Sequence, residues 1–179
     1  MTVRTSSNIR SAIGFTIVEL VVVIIILGIL TVVVAPRFQT GGGLAEYTYQ
    51  ARLISSLRTM QQRAMNDTRD SYCFQVNVFT GANSSFGPPT LVYKNSSRAL
   101  SCATTIDTSE DAAYVVANID EMDADNVTIT SGGGSILFNR FGCANNGSGF
   151  CANDIEVVLQ GESAVSVCIE SQGYIHACE

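Results

Sequence analysis

The chain has 179 residues, with 10 Lys and Arg against 16 Asp and Glu and a single His, for a formal net charge of −6. That length suits one globular domain with room for a core after a helical stalk is set aside. The acidic balance argues against broad nucleic-acid binding, which needs a basic face.

Residues 1–14 read as a short leader. It carries Arg4 and Arg10 and ends in Ser11-Ala12-Ile13-Gly14. Phe15 to Ala35 is an apolar stretch of 21 residues, longer than the 7–15-residue apolar region of an ordinary secretory signal. As a helix it would span ~31 Å, about one hydrocarbon core. Its β-branched run, Val21 to Ile26, lowers helix propensity in water. In lipid a helix is still required, because a single segment must pair its own backbone groups. One carboxylate, Glu19, interrupts the apolar text. An acid at bilayer depth costs roughly 2.5–3.5 kcal/mol on insertion scales, so a plain anchor would not carry one.

Pro36 removes a backbone donor and is expected to kink or break the helix there. Gly41, Gly42 and Gly43 each cost about 1 kcal/mol against alanine in a helix. Residues 36–43 therefore read as a flexible joint. Residues 44–66 form an amphipathic helix: Tyr49, Leu53, Leu57, Met60 and Ala64 recur at spacings of 4, 4, 3 and 4. This stripe is expected to pack on a sheet.

Residues 67–179 read as a β-rich globular domain. Tyr72 to Phe79 alternates, with Tyr72, Phe74, Val76 and Val78 on one face. Further strands are expected at Leu91–Lys94, Tyr114–Ala117, Val127–Thr130, Ser135–Phe138, Ile155–Leu159, Val165–Ile169 and Gly173–Ala177. Gly, Asn, Ser and Pro clusters separate them. The expected fold is α+β: a long N-terminal helix, membrane-spanning in its first half, packed on an antiparallel sheet.

Six cysteines behind an export-like N-terminus fit an oxidising compartment. No C-x-x-C pair occurs and there is one histidine, so zinc is not indicated. Six cysteines admit 15 pairings. The sequence-local ones are favoured: Cys143 with Cys151 around a small polar loop, Cys168 with Cys178 across the last hairpin, and Cys73 with Cys102. The acidic run Asp120 to Asn126 lacks the glycine and terminal glutamate of a calcium loop and reads as a solvated loop. His176 has no placed Ser or Cys partner. No catalytic constellation emerges, so neither an enzyme, a metal nor a cofactor is expected.

The run Gly14-Phe15-Thr16-Ile17-Val18-Glu19-Leu20 resembles the N-terminal signal of type IV pilins and of type II secretion pseudopilins. The resemblance implies that a prepilin peptidase cuts after Gly14 and that the new Phe15 amine is N-methylated. It also implies that Glu19 of one subunit pairs with the Phe15 amine of a neighbour during assembly, and that the stretch around Pro36 melts in the filament. Without Arg4 and Arg10 the mature chain would carry about −8, from 8 Lys and Arg against 16 Asp and Glu. The text from Val21 to Leu30 with Ala35-Pro36-Arg37-Phe38 is most similar to pilins of the mannose-sensitive haemagglutinin (MSHA) type. Ile136 to Gly142, followed by Ile155–Leu159, Val165–Ile169 and Gly173-Tyr174-Ile175, resembles the closing half of minor pilins and H-type pseudopilins.

The implied function is a structural subunit, of the minor kind, in a type IV pilus that serves assembly and cell adhesion. Its implied partners are other pilin subunits, the prepilin peptidase, the inner-membrane assembly platform and the membrane itself. It would sit in the inner membrane first and in a pilus or periplasmic pseudopilus afterwards. The alternatives are a type II secretion pseudopilin and a membrane-tethered periplasmic binding module that never polymerises.

Overall fold

Thr16 opens the first helix. Its hydroxyl accepts from the Glu19 amide at 3.2 Å, and its carbonyl accepts from the Leu20 amide at 3.2 Å. Thr16-x-x-Glu19 is the spacing of a capping box, in which a hydroxyl satisfies one of the orphan amides of the first turn. The computed structural model describes residues 16–39, 42–67, 74–89, 103–108 and 115–178. The first helix, α1, covers Ile17–Gln39.

Of the kink or break expected at Pro36, a break is not seen at that residue: α1 continues three residues further, to Gln39. A proline deletes one backbone bond and can bend a helix without ending it. Gly42 and Gly43, assigned to the joint, instead open the second helix, α2, Gly42–Asn66. Thr40 and Gly41 lie outside the described residues. The side chains of α1 are described through Leu30, about 21 Å of helix from Ile17. Among the described residues no helix is long and apolar enough to cross a membrane; the span expected over 15–35 runs beyond those side chains at both ends. The chain divides into two units, Met1–Thr40 and Gly41–Glu179.

In the second unit the α2 stripe is the spine of the core. Tyr49, Leu53, Leu57, Met60 and Ala64 are all buried. The 3.6-residue period puts them on one face, and burying each large one stabilises by ~1.5–3 kcal/mol. That face lies against strands of two separate sheets.

The strands are β1 (Gln75–Phe79), β2 (Ser85–Gly87), β3 (Thr128–Ser131), β4 (Gly134–Phe138), β5 (Ala144–Asn145), β6 (Ile155–Gln160), β7 (Ala164–Ile169) and β8 (Ile175–Ala177). They form two four-stranded antiparallel sheets, ordered β2-β1-β4-β5 and β3-β6-β7-β8. The fold is α+β as expected, with two sheets where one was anticipated. The chain changes sheets at the glycines between β3 and β4. Gly132 has φ +79°, and a side chain there would meet the Glu156 carbonyl at 2.2 Å. Only glycine permits both the left-handed backbone and this approach.

The other strand expectations divide by how much of their surroundings was local. Strands β6 and β7 alternate buried and outward residues, with Val157 opposite Val167 and Leu159 opposite Val165. Strand β1 buries both faces: Gln75 and Asn77 lie under residues 103–105 and donate to the Ala103 carbonyl at 2.6 and 3.0 Å. The expected strand over Tyr114–Ala117 is a single bridge, Ala117 to Phe86, with Tyr114 outside the described residues. Leu91–Lys94 and Tyr72 also lie outside them. The acidic run is not a free loop: α3, Ile119–Ala124, occupies it and buries Met122. Asn118 caps that helix by accepting from the Glu121 amide at 2.8 Å.

Candidate functional site

Of the residues singled out for processing and assembly, one, Glu19, belongs to α1. Gly14 and Phe15 lie outside the described residues. Glu19 is described and exposed, in the first turn of α1. An anion there faces the positive end of the helix macrodipole, an interaction of about 0.3–1 kcal/mol at an exposed site. The capping pair Thr16 and Glu19 was legible in the Thr-x-x-Glu spacing. From Ile17 to Leu30 every large apolar side chain is exposed, between 43% and 83%. Glu19 is the only charged residue in that interval.

In the second unit, polar side chains of α2 fasten the helix to the sheets along its length. Near its start, Glu46 is fully buried. Its Oε1 accepts from the Ser163 hydroxyl at 2.6 Å and from the Ser163 amide at 3.0 Å, holding the β6–β7 turn. The Ser163 hydroxyl first, then the backbone amide of Glu46 itself, hold its carboxyl below the ordinary glutamate value against the opposing effect of burial, with the Ser163 amide adding the least. The second oxygen, Oε2, is buried without a partner.

One turn on, the Tyr49 hydroxyl donates to Asp125 at 2.7 Å. Burial, then this bond, pushes the phenol above its ordinary pKa, so it remains a donor. Arg52 grips α3: its guanidinium donates to both carboxylate oxygens of Glu121 and to the Val116 carbonyl. Forked contacts of this kind suit the planar guanidinium. Gln50 donates to the Ser166 carbonyl at 2.7 Å, and Arg58 to that of Ile175 at 2.7 Å. At the far end, Gln61 donates to the carbonyls of Gly142 and Gly173, at 2.8 and 2.6 Å.

Two disulfides close local loops. Cys143 joins Cys151 with 5.1 Å between Cα atoms, and Cys168 joins Cys178 with 5.3 Å. Both pairs were among the sequence-local ones favoured. Cys73 and Cys102 lie outside the described residues. His176 stacks on Tyr174 with centroids 4.8 Å apart, and its Nε2 lies 3.2 Å from Glu170. The acidic run is divided between tasks. Glu121 and Asp125 hold α2, while Asp120 and Asp123 face solvent. Among the described residues no three His, Cys, Asp or Glu side chains come together as a metal site.

Compared with known protein families, curated proteins and solved structures, the chain finds no match in any of the three. What the geometry defines is a class of architecture: an α+β unit that, among the described residues, has two antiparallel sheets fastened along one helix and two disulfides, preceded by a separate apolar helix.

Proposed function

We propose that this chain is a structural subunit, of the minor kind, of an MSHA-like type IV pilus, acting in pilus assembly and cell adhesion. Residues 15–35 hold it in the inner membrane before assembly and in the filament core afterwards. Prepilin peptidase removes residues 1–14, and Phe15 is methylated. Glu19 then pairs with the Phe15 amine of a neighbouring subunit, and the inner-membrane platform inserts the chain into the growing polymer. No catalytic group, metal or cofactor takes part in this role.

The observation that carries this reading is the surface of α1. A helix apolar on every side is at home only in lipid or among other helices. The described part of α1 is such a helix, with one carboxylate, placed in its first turn. The division of the chain after Thr40 suits an anchor that serves a separately packed domain.

A second reading, a type II secretion pseudopilin, draws on the C-terminal half. The turns at Gly142 and Gly173 lie against each other under Gln61, in the part of the chain that resembles H-type pseudopilins.

The test has two arms. Mass spectrometry of the mature protein should find Phe15 at the N-terminus, methylated, and Gly14 replaced by a bulky residue should leave the full-length precursor. Glu19→Ala should keep membrane insertion and leader cleavage but lower the ratio of subunit in sheared filaments to subunit in membranes. A broken buried pair costs about 3–5 kcal/mol, enough to see in that ratio. An intact Met1 terminus together with an unchanged ratio would leave a non-polymerising tether as the answer.

A further inference from the structure

At the C-terminal end of α2 three large apolar side chains stand in solvent around a rigid knot. Phe141 is 71% exposed, Tyr174 63% and Met65 54%. The knot beneath them is the Gln61 amide, bonded to the carbonyls of Gly142 and Gly173. The two turns touch: a side chain on Gly173 would meet the Gly142 carbonyl at 2.3 Å. A side chain on Gly142 would meet the Met65 sulfur at 3.2 Å. Phe141 and Tyr174 are the residues next to these glycines, so both rings rise from one platform.

The platform is pre-organised. Asn139 accepts from the amides of Phe141 and Cys143 at 2.9 and 3.0 Å and fixes the first turn. The Arg140 guanidinium lies 4.9 Å from the Phe141 ring centroid, and His176 stacks on Tyr174. Held rings lose little entropy on binding, and exposed Tyr, Phe, Met and Arg together are the composition of an interface core.

Its charge is equally specific. Arg58, bonded to the carbonyl beside Tyr174, and Arg140 are both exposed here. This is unusual on an acidic chain. Only four cations belong to the described part of the second unit, Arg52, Arg58, Arg63 and Arg140, and Arg52 is taken up by Glu121. The platform also carries one carboxylate, Glu170, 3.2 Å from His176 Nε2; its two guanidiniums suit an apolar surface edged with carboxylates. The chain presents one on α3: Ile119, 44% exposed, beside the exposed Asp120 and Asp123.

These two surfaces cannot meet within one molecule. Helix α3 is tied to α2 at Arg52 and the platform at Gln61, nine residues and ~14 Å further along the helix.

We infer that the Phe141–Tyr174–Met65 platform docks onto the α3 surface of a second copy of this chain, apolar face to apolar face, with Arg140 and Arg58 meeting Asp120 and Asp123. The contact is head-to-tail. Each copy keeps one free surface of each kind, so the contact is open-ended wherever copies of this subunit adjoin. It rests on the polymer reading above and names the surface of the globular unit through which copies meet.

The test uses the full-length protein in its own membranes and filaments, with a photo-crosslinking phenylalanine analogue at Phe141. The expected product is a crosslinked dimer whose mapped peptide from the second copy contains residues 119–125. Arg140→Glu should lower that dimer about tenfold through like-charge contact. Combining it with Asp120→Arg and Asp123→Arg should restore the dimer, which a folding defect could not do. A crosslink to another protein, to lipid or to a different segment of the chain overturns the inference, as does absence of rescue. If sheared filaments contain the chain but no such dimer, this contact is wrong and the polymer reading stands. If Glu19→Ala leaves the filament ratio unchanged and no dimer forms, both fail.

Discussion

Replacing Glu46 by Gln isolates one long-range polar lock. The change keeps shape and removes charge. In the wild type one oxygen receives both bonds from Ser163, at 2.6 and 3.0 Å, while the other is buried and bare. Hydrogen bonds to a charged group contribute about 1.5–3 kcal/mol each and neutral ones about 0.5–1.5. Losing the charge at two bonds should therefore cost about 2–3 kcal/mol, with the amide NH2 adding an unpaired buried donor if it takes the bare position. For a chain of this size that is ~4–12 °C in Tm.

The acid side of the profile separates this lock from simple packing. The folded carboxyl titrates below its ordinary value of 4.5. Its contribution is thus fully present above that value and is lost as pH falls through the folded value. The assay is denaturant unfolding of the full chain in detergent micelles, for wild type and Glu46→Gln, at pH 7 and at pH 3. The stability gap should be widest at pH 7 and shrink at pH 3. A gap below about 0.5 kcal/mol at pH 7, where a charged pair of bonds should exceed 1.5, would refute the lock. An equal gap at both pH values would assign the effect to shape.

Three further outcomes are expected. Gly132→Ala places a side chain 2.2 Å from the Glu156 carbonyl at φ +79°, so the loss should exceed the ~1–3 kcal/mol of backbone strain alone and appear as a lowered unfolding midpoint. Alkylation before reduction should label neither Cys143, Cys151, Cys168 nor Cys178, and replacing either described pair with serines should cost ~2–4 kcal/mol in thermal unfolding. Arg52→Ala leaves Glu121 and the Val116 carbonyl without their donor; a loss of about 1.5–3 kcal/mol is expected, with faster hydrogen exchange in α3 than in β6 and β7.

Much of the globular unit follows from patterns within a few residues of one another. The α2 stripe needs only the helical period, and all five of its residues are buried. Strands β6 and β7 alternate over six residues each and are joined by a short turn, so their pairing is local. Cys143–Cys151 and Cys168–Cys178 span separations of 8 and 10. Short closures cost little entropy, which is why local pairs are a sound first expectation. The capping spacing at Thr16–Glu19 and Asn118–Glu121 was equally available in the text. Applied to the second, it places a helix where the charges alone suggested a loop.

Other features depend on which surfaces come together. Gln75 and Asn77 alternate like the outer face of a strand, yet residues 103–105 cover them and supply acceptors. One passage between the two sheets runs through Gly132, where the left-handed backbone and the neighbouring Glu156 carbonyl both exclude a side chain. Glu46 reads as an ordinary charge of a surface helix until the β6–β7 turn lies over it. Arg52 and Glu121 are 69 residues apart. The amino-acid sequence by itself determined α2, the β6–β7 pair and the near-neighbour closures, because periodicity and short loops are properties of adjacent residues. Tertiary structure alone decided which polar groups are buried, how the strands divide between sheets, and that Phe141, Tyr174 and Met65 share one platform, because each depends on contacts between segments that chain order leaves far apart.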